Sequence, residues 1–206
     1  MLDAVALGYV LPNGRDLFRD VNLSVVPGEA VAIQSPSGTG KSTLLGLLAG
    51  VLTPSTGHVS IASSHRTPIA WVLQSLNVLG PRSVLANAAL FARLDPETER
   101  VATDRATEML DLLGIGDLTD ATARELSGGE LQRLTVARAL ATTRPIILAD
   151  EPSNQLDSDN AKRVMQVLVT TARTHQRCVV IVTHDRDALP ADTSILRLTA
   201  NGLVVE

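Results

Sequence analysis

The sequence predicts an α/β fold: a mixed-sheet core, an antiparallel β subdomain on its N-terminal side and an inserted α-helical subdomain. Three observations predict it. Short apolar strands at 29–34, 145–150 and 178–183 alternate with helical stretches, a pattern of strands covered on both faces. Ahead of and around the first of these lie short strand-like segments punctuated by "LPNGR" and "PGE" turns. From about Gln74 to Leu126 strand signals vanish and helical periodicity takes over.

The elements follow in order. "DAVALGYVL" (3–11), "NLSVV" (22–26) and "EAVAIQ" (29–34) read as strands. From Ser42 the pattern turns helical, with Leu44, Leu45, Leu47, Leu48 and Val51 on one face and a stop near Gly50. "HVSIA" (58–62) and "IAWVLQ" (69–74) are further strands. Residues 83–94 read as one helix. Asp95 then caps the next, with Pro96 in its first turn and Val101, Met109, Leu110 and Leu113 inward. A helix from about Gly129 to Thr142 is stopped by Pro145, and another carries Val164, Val167, Leu168 and Thr171 inward. Asn201-Gly202 is the expected turn of a closing hairpin. The whole of 1–206 is expected to be one domain, with roughly 75–135 as the helical insertion.

Composition sets bounds. Of 206 residues 45% are hydrophobic and 19% charged, which is globular. No run of 18 apolar residues is present, and Asp3 with no basic flank argues against a signal peptide. The single cysteine, Cys178, excludes an internal disulfide and is compatible with a reducing compartment. A net charge of −4 argues against nucleic acid as main partner.

Four local patterns carry chemistry. "SPSGTGKST" (35–43) lies between a strand and a helix. There Gly38 and Gly40 let successive N–H groups converge on a phosphate, and the helix start adds its dipole. Ser37 to Thr43, including Thr39, supply most of this cradle; Pro36 has no N–H, and Ser35 stands where the pattern asks for glycine. Only two lysines stand against sixteen arginines, so Lys41 reads as selected for the β- and γ-phosphates, with the Ser42 hydroxyl for Mg²⁺. Asp150 and Glu151 end a buried strand, the first suited to holding Mg²⁺ and the second to orienting or deprotonating water. His184 ends another such strand and could polarise the γ-phosphate. In "LSGGELQR" (126–133), Ser127, Gly128 and Gly129 precede a helix and form a second anion site.

Taken together, "SPSGTGKST", Gln74 in "WVLQS", "LSGGE", "IILADEP", "NQLD" (154–157) and "VTHD" resemble the nucleotide-binding subunit of ATP-binding cassette transporters over essentially the full chain. The resemblance implies a P-loop NTPase core whose helical insertion carries the signature. It implies ATP and Mg²⁺ as ligands and a head-to-tail homodimer, or a heterodimer with a related ATPase subunit. Each ATP would be held by Lys41, Ser42, Gln74, Asp150, Glu151 and His184 of one chain and by Ser127 and Gly129 of the other. Gln74 would add a metal contact, Tyr9 would stack on adenine, and Asp157 would link the two sites. A separate transmembrane permease would dock beside Gln74 and 75–94 and contact the cargo, holding this chain at the cytoplasmic face of the membrane.

"EPSNQLDSDNAKRVM" is similar to the lipoprotein-release and macrolide-exporter type, with Ser153, Asn154 and Gln155 as departures. No added regulatory domain is expected after the closing hairpin. The alternatives are a soluble cassette ATPase acting on DNA ends or ribosomes, a nucleotide kinase and a non-hydrolysing interaction module. The acidic balance and short insertion oppose the first, "LSGGE" the second, and Lys41, Glu151 and His184 the third.

Overall fold

A computed structural model describes residues 1–36 and 38–205. β1 (Leu2–Val10) and β2 (Asp16–Val25) form an antiparallel hairpin, β3 (Ala30–Gln34) leads into α1 (Lys41–Leu48), and β4 (Thr56–Ile61) returns to pair with β1. β5 (Ile69–Val72) precedes a helical tract of α2 (Val84–Ala88), α3 (Glu99–Leu112) and α4 (Gly128–Leu140). β6 (Ile146–Asp150), α5 (Ser158–His175), β7 (Cys178–Val182), β8 (Ser194–Thr199) and β9 (Gly202–Val205) follow. One sheet is antiparallel, in the order β2-β1-β4; the other runs β5-β6-β7-β3-β8-β9 and is parallel except for β9. The predicted mixed sheet, antiparallel N-terminal portion and helical insertion are all present.

Alternation along the central strands divides the core into two layers. Ile147, Ala149, Val179 and Ile181 meet Leu134 of α4 and Val164 and Leu168 of α5. The intervening Ile146, Leu148, Val180 and Val182, with Ile33, meet Leu44, Leu45 and Leu48 of α1 and Phe18 of β2. Because both faces are covered, β6 and β7 are buried at every position, which is why their sequences read as unbroken apolar runs.

Several expected boundaries move. "EAVAIQ" joins the centre of the parallel sheet, between β7 and β8, so the antiparallel portion takes its third strand from β4. β2 starts at Asp16, well before the predicted Asn22. Asp20 takes a left-handed φ of 52° and shifts the register, so the in–out alternation that marks a strand is broken at that point. Asn22 holds the irregularity, accepting from the Ala6 amide and donating to the Asp20 carbonyl. Val51 falls beyond α1 and is 70% exposed.

The predicted helix over 83–94 is interrupted: α2 is capped by Ser83, and 92–94 form a separate 3-10 turn. The buried Asn87 side chain of α2 reaches back toward the segment before it. It bonds the amide and carbonyl of Leu79 and the carbonyls of Arg82 and Ser83, fixing the incoming chain against α2. The cap of α3 is Thr98 in place of Asp95. Asp95 instead accepts from the Thr143 amide at 2.7 Å and pairs with Arg105, while Val101 lies outward and Ala102 and Ala106 fill the inner face. In the closing hairpin Thr199 pairs with Gly202, so the two turn residues are Ala200 and Asn201, and Gly202 supplies the positive φ just after them.

Phe18, 1% exposed, should be among the most costly truncations. Phe18→Ala is expected to lose about 3–5 kcal/mol in urea unfolding. Val101→Ala, on the face predicted to be inner but found outer, should stay within about 0.5 kcal/mol.

Candidate functional site

Three neighbouring parallel strands deliver the predicted groups to one edge of the sheet. Ile33 of β3 is level with Val182 of β7, and Val182 is level with Asp150 of β6. The register continues past the strand ends: the Glu151 amide donates to the Val182 carbonyl at 2.8 Å, and the Thr183 amide to the Ile33 carbonyl at 3.2 Å. The loop at 35–40, the acids 150–151 and His184 therefore leave the sheet side by side.

The loop is held by its own polar groups. The Lys41 ammonium donates to the carbonyls of Ser35 (2.7 Å) and Pro36 (3.3 Å), and the Thr39 hydroxyl donates to the Pro36 carbonyl. Ser35 and Thr39 share a hydroxyl–hydroxyl bond. Among the described residues, the non-glycine positions with positive φ are Ala6, Asp20, Glu151, Gln155 and Gln176, so Ser35 fills the usual glycine position without left-handed strain. Gly40 is different. It begins α1 at φ 98°, and a Cβ there would come within 2.6 Å of Leu17. No side chain caps α1, which leaves its first-turn amides free to meet an anion. Ser37, predicted as part of the cradle, lies outside the described residues.

A cleft of about 460 Å³ opens beside the loop. Gly38, Gly40, Lys41, Ser42 and Thr43 line one side of it, with Gln74, Asp150 and Glu151; of the other predicted residues, Ser35, Pro36 and Thr39 do not line it, and His184 lines a separate hollow with Ser153 and Gln155. Burial pushes the Asp150 carboxyl up, and the neighbouring Glu151 adds to this; a Ser42 hydrogen bond and the Lys41 charge pull it back. Glu151 is buried and lies in a left-handed conformation, φ 49°. Its Oε2 is 2.8 Å from His184 Nδ1 and accepts the His184 amide at 3.3 Å, so one carboxylate touches both the cleft and the histidine. The His184 ring itself is largely exposed.

The oxygen donors suit magnesium. Ser42, Asp150 and Gln74 offer a hydroxyl, a carboxylate and an amide carbonyl around one cleft, and no group of three or more His, Cys, Asp or Glu among the described residues competes as a metal cage. A few hard oxygens, with phosphate and water filling the rest, is how Mg²⁺ is usually held.

Other predicted residues sit elsewhere. Ser127, Gly128 and Gly129 begin α4 and do not line the cleft; their close neighbours are Gln155 and Leu156. Ser127 is tied into a capping box, donating its amide and hydroxyl to Glu130 Oε2 at 2.7 Å each. Those bonds hold the Glu130 carboxyl below its ordinary value. Asp157 caps α5, accepting from the amide and side chain of Asn160, and its carboxyl is lowered for that reason. Tyr9, expected to stack on adenine, does not line this cleft. The β1–β2 register sets it opposite Phe18, and it lines a separate hollow of about 160 Å³ with Gly8, Ser55 and Thr56.

Sequence reasoning missed two sets of residues. Leu11, Arg15 and Leu17 line the cleft, although "LPNGR" signalled only a turn. Arg133 and Arg138 anchor α4. Arg133 donates to the carbonyls of Leu113 and Gly114 and to Asn160. Arg138 donates to the Asn77 carbonyl and lies 4.9 Å from the Phe91 ring centre. The second joins the segment after Gln74 to the helix that begins at the signature. Its only advance signal was an arginine on the buried side of a helix.

Comparison with known proteins points to one family. The profile of the ABC transporter family matches residues 18–154. The lipoprotein-releasing system ATP-binding protein LolD of Xanthomonas axonopodis pv. citri is 36% identical over 202 residues, spanning 90% of this chain and 83% of the relative. An uncharacterized ABC transporter ATP-binding protein of Mycobacterium tuberculosis is 32% identical over 203 residues, 92% of this chain and 82% of that one. Among solved structures, the dimeric bacterial ABC transporter cassette MJ0796 superposes with a TM-score of 0.84 at 29% identity, covering 100% of this chain and 97% of that one. A dimeric post-hydrolysis state of the same cassette, bound to ADP and phosphate, gives the same score.

The signature cap should be pH-sensitive. A carboxyl lowered by folding contributes stability that is complete above its unfolded value, ordinarily 4.5, and is lost as pH falls through the lower folded value. Glu130→Gln keeps the acceptor but loses the charge. In thermal unfolding, the wild-type advantage over this variant should be full at pH 7 and shrink progressively as pH falls below the ordinary carboxyl range.

Proposed function

The chain belongs to the ABC transporter family as an ATP-binding and ATP-hydrolysing subunit, and on that premise we propose how its residues divide the work. The loop amides from 35 to 43 and the Lys41 ammonium hold the triphosphate. Ser42, Asp150 and Gln74 would hold Mg²⁺, which when bound would neutralise charge developing on the phosphate oxygens. Glu151 receives the proton of the attacking water, and His184 keeps that carboxylate in place from the other side. Ser127, Gly128 and Gly129 complete the site of a facing subunit, and Asp157 lies at the junction between the two sites.

The observation that carries the paired arrangement is a separation within one chain. The cleft has a phosphate loop, an acid pair and a metal-binding set, yet the second anion-binding turn, at the start of α4, lies outside it. Two such chains placed head to tail supply each cleft with the turn it lacks. Similarity to a dimeric cassette supports this reading. The facing subunit is a second copy or a related ATPase.

No helix among the described residues is long and apolar enough to cross a membrane. Movement of a cargo therefore falls to a separate transmembrane permease, which would dock beside Gln74 and 75–94 and hold this chain at the cytoplasmic face. Similarity to a lipoprotein-releasing ATPase, together with the "EPSNQLDS" segment, supports an export or extraction system.

Glu151→Gln is expected to bind ATP, lose about 100- to 10,000-fold in turnover and accumulate as an ATP-bound dimer on size-exclusion chromatography. An ATP-saturated monomer at high concentration would refute the paired site. Ser127→Arg should leave nucleotide binding by the single chain largely intact while abolishing both dimer and turnover. Equal loss of binding would place the signature in its own chain's cleft.

A further inference from the structure

We propose that the Ser35 hydroxyl, standing where the phosphate-loop pattern has glycine, is a positioning group for phosphate binding: it closes a clasp across the loop and so fixes the two carbonyls that hold the Lys41 ammonium. This rests on the nucleotide reading above and deepens it at the phosphate end of the cleft. The strand register brings the loop to the cleft; the shape it keeps there is a separate matter. Gly38, Gly40, Lys41, Ser42 and Thr43 line the cleft, whereas Ser35 and Thr39 do not. These two hydroxyls therefore act on a phosphate only through the loop they brace.

The direction of the clasp follows from counting protons. The Thr39 hydroxyl has one proton, and it goes to the Pro36 carbonyl at 2.8 Å. Thr39 Oγ1 is then the acceptor in its bond with Ser35, and the Ser35 hydroxyl is the donor. The Pro36 carbonyl also accepts from Lys41 Nζ at 3.3 Å, and the Ser35 carbonyl accepts from the same ammonium at 2.7 Å. The four bonds join residues 35, 36, 39 and 41 in one closed circuit. Gly38, at φ 80°, lies within the span that the circuit closes.

Glycine at position 35 would leave the circuit open. It has no hydroxyl to donate, and it adds backbone freedom that is lost when the loop is ordered. Ser35 and Thr39 are both half-buried, where a lost partner is costlier than on an open surface. A loop already held in its binding shape gives up less entropy when a ligand arrives. The effect falls on the phosphates, so a probe that carries no nucleoside should report it in full.

The test titrates inorganic pyrophosphate and ADP calorimetrically into the full chain, with the melting temperature of each variant followed alongside. Ser35→Ala should weaken both probes by roughly three- to tenfold, the range of one neutral hydrogen bond. Ser35→Gly should lose at least as much, since it also frees the backbone. Thr39→Val should be weakened by a similar or greater factor, and Thr39→Ser should recover most of that loss. Ser35→Ala added to Thr39→Val should cost no more than about twofold beyond Thr39→Val alone, because both open the same circuit. The proposal fails if Ser35→Gly binds pyrophosphate as tightly as the wild type or more tightly, or if the two losses multiply in the double variant. It fails equally if Ser35→Ala lowers the melting temperature and leaves both affinities unchanged. Pyrophosphate and ADP affinities unmoved by Lys41→Ala would overturn the nucleotide reading itself, a result distinct from any of these.

Discussion

The register of three buried parallel strands is the constraint on which the site depends. β3, β7 and β6 are hydrogen-bonded neighbours, and their carboxyl ends finish level with one another. Their apolar side chains fix that register, because a one-residue slip would exchange the layer against α1 for the layer against α4 and α5. Chain segments more than a hundred residues apart thus deliver a lysine, two acids and a histidine to one edge. The loops need little rigidity of their own, since backbone bonds extend the ladder one residue beyond the strands on both sides of β7.

The helical insertion is organised differently. Polar links position it, within itself and toward the sheet: Asn87 to the chain before α2, Arg138 to Asn77, Asp95 to Thr143, and Arg177 to the Leu140 carbonyl. Burial, with Arg105 nearby, holds the Arg177 guanidinium down to about 10. Such bonds are directional and have few alternatives once desolvated, so they define position more sharply than apolar packing does. Arg138 in particular makes the segment following Gln74 and the helix starting at Ser127 parts of one connected body.

The strand–loop–helix around Lys41, the acids at 150–151 and the cap at Ser127 were legible in the sequence because each depends on a few adjacent residues whose types have direct physical meaning. α5 was legible for another reason: an 18-residue amphipathic run averages out local irregularity. What escaped was set by contacts distant in sequence. The alternation of β2 fails at Asp20 because of a bulge, the chain entering α2 is fixed by a buried asparagine, and Asp95 is recruited by Thr143, nearly fifty residues away.

Glu151 holds a left-handed backbone, a conformation that disfavours any residue with a Cβ by about 1–2 kcal/mol. Glycine would relieve that penalty and erase the carboxylate in the same substitution. Selection for heat resistance alone would therefore be drawn toward a sturdier protein with a dead centre. A thermostabilising screen of this molecule has to score turnover alongside melting, or its best hits at this position will be inert.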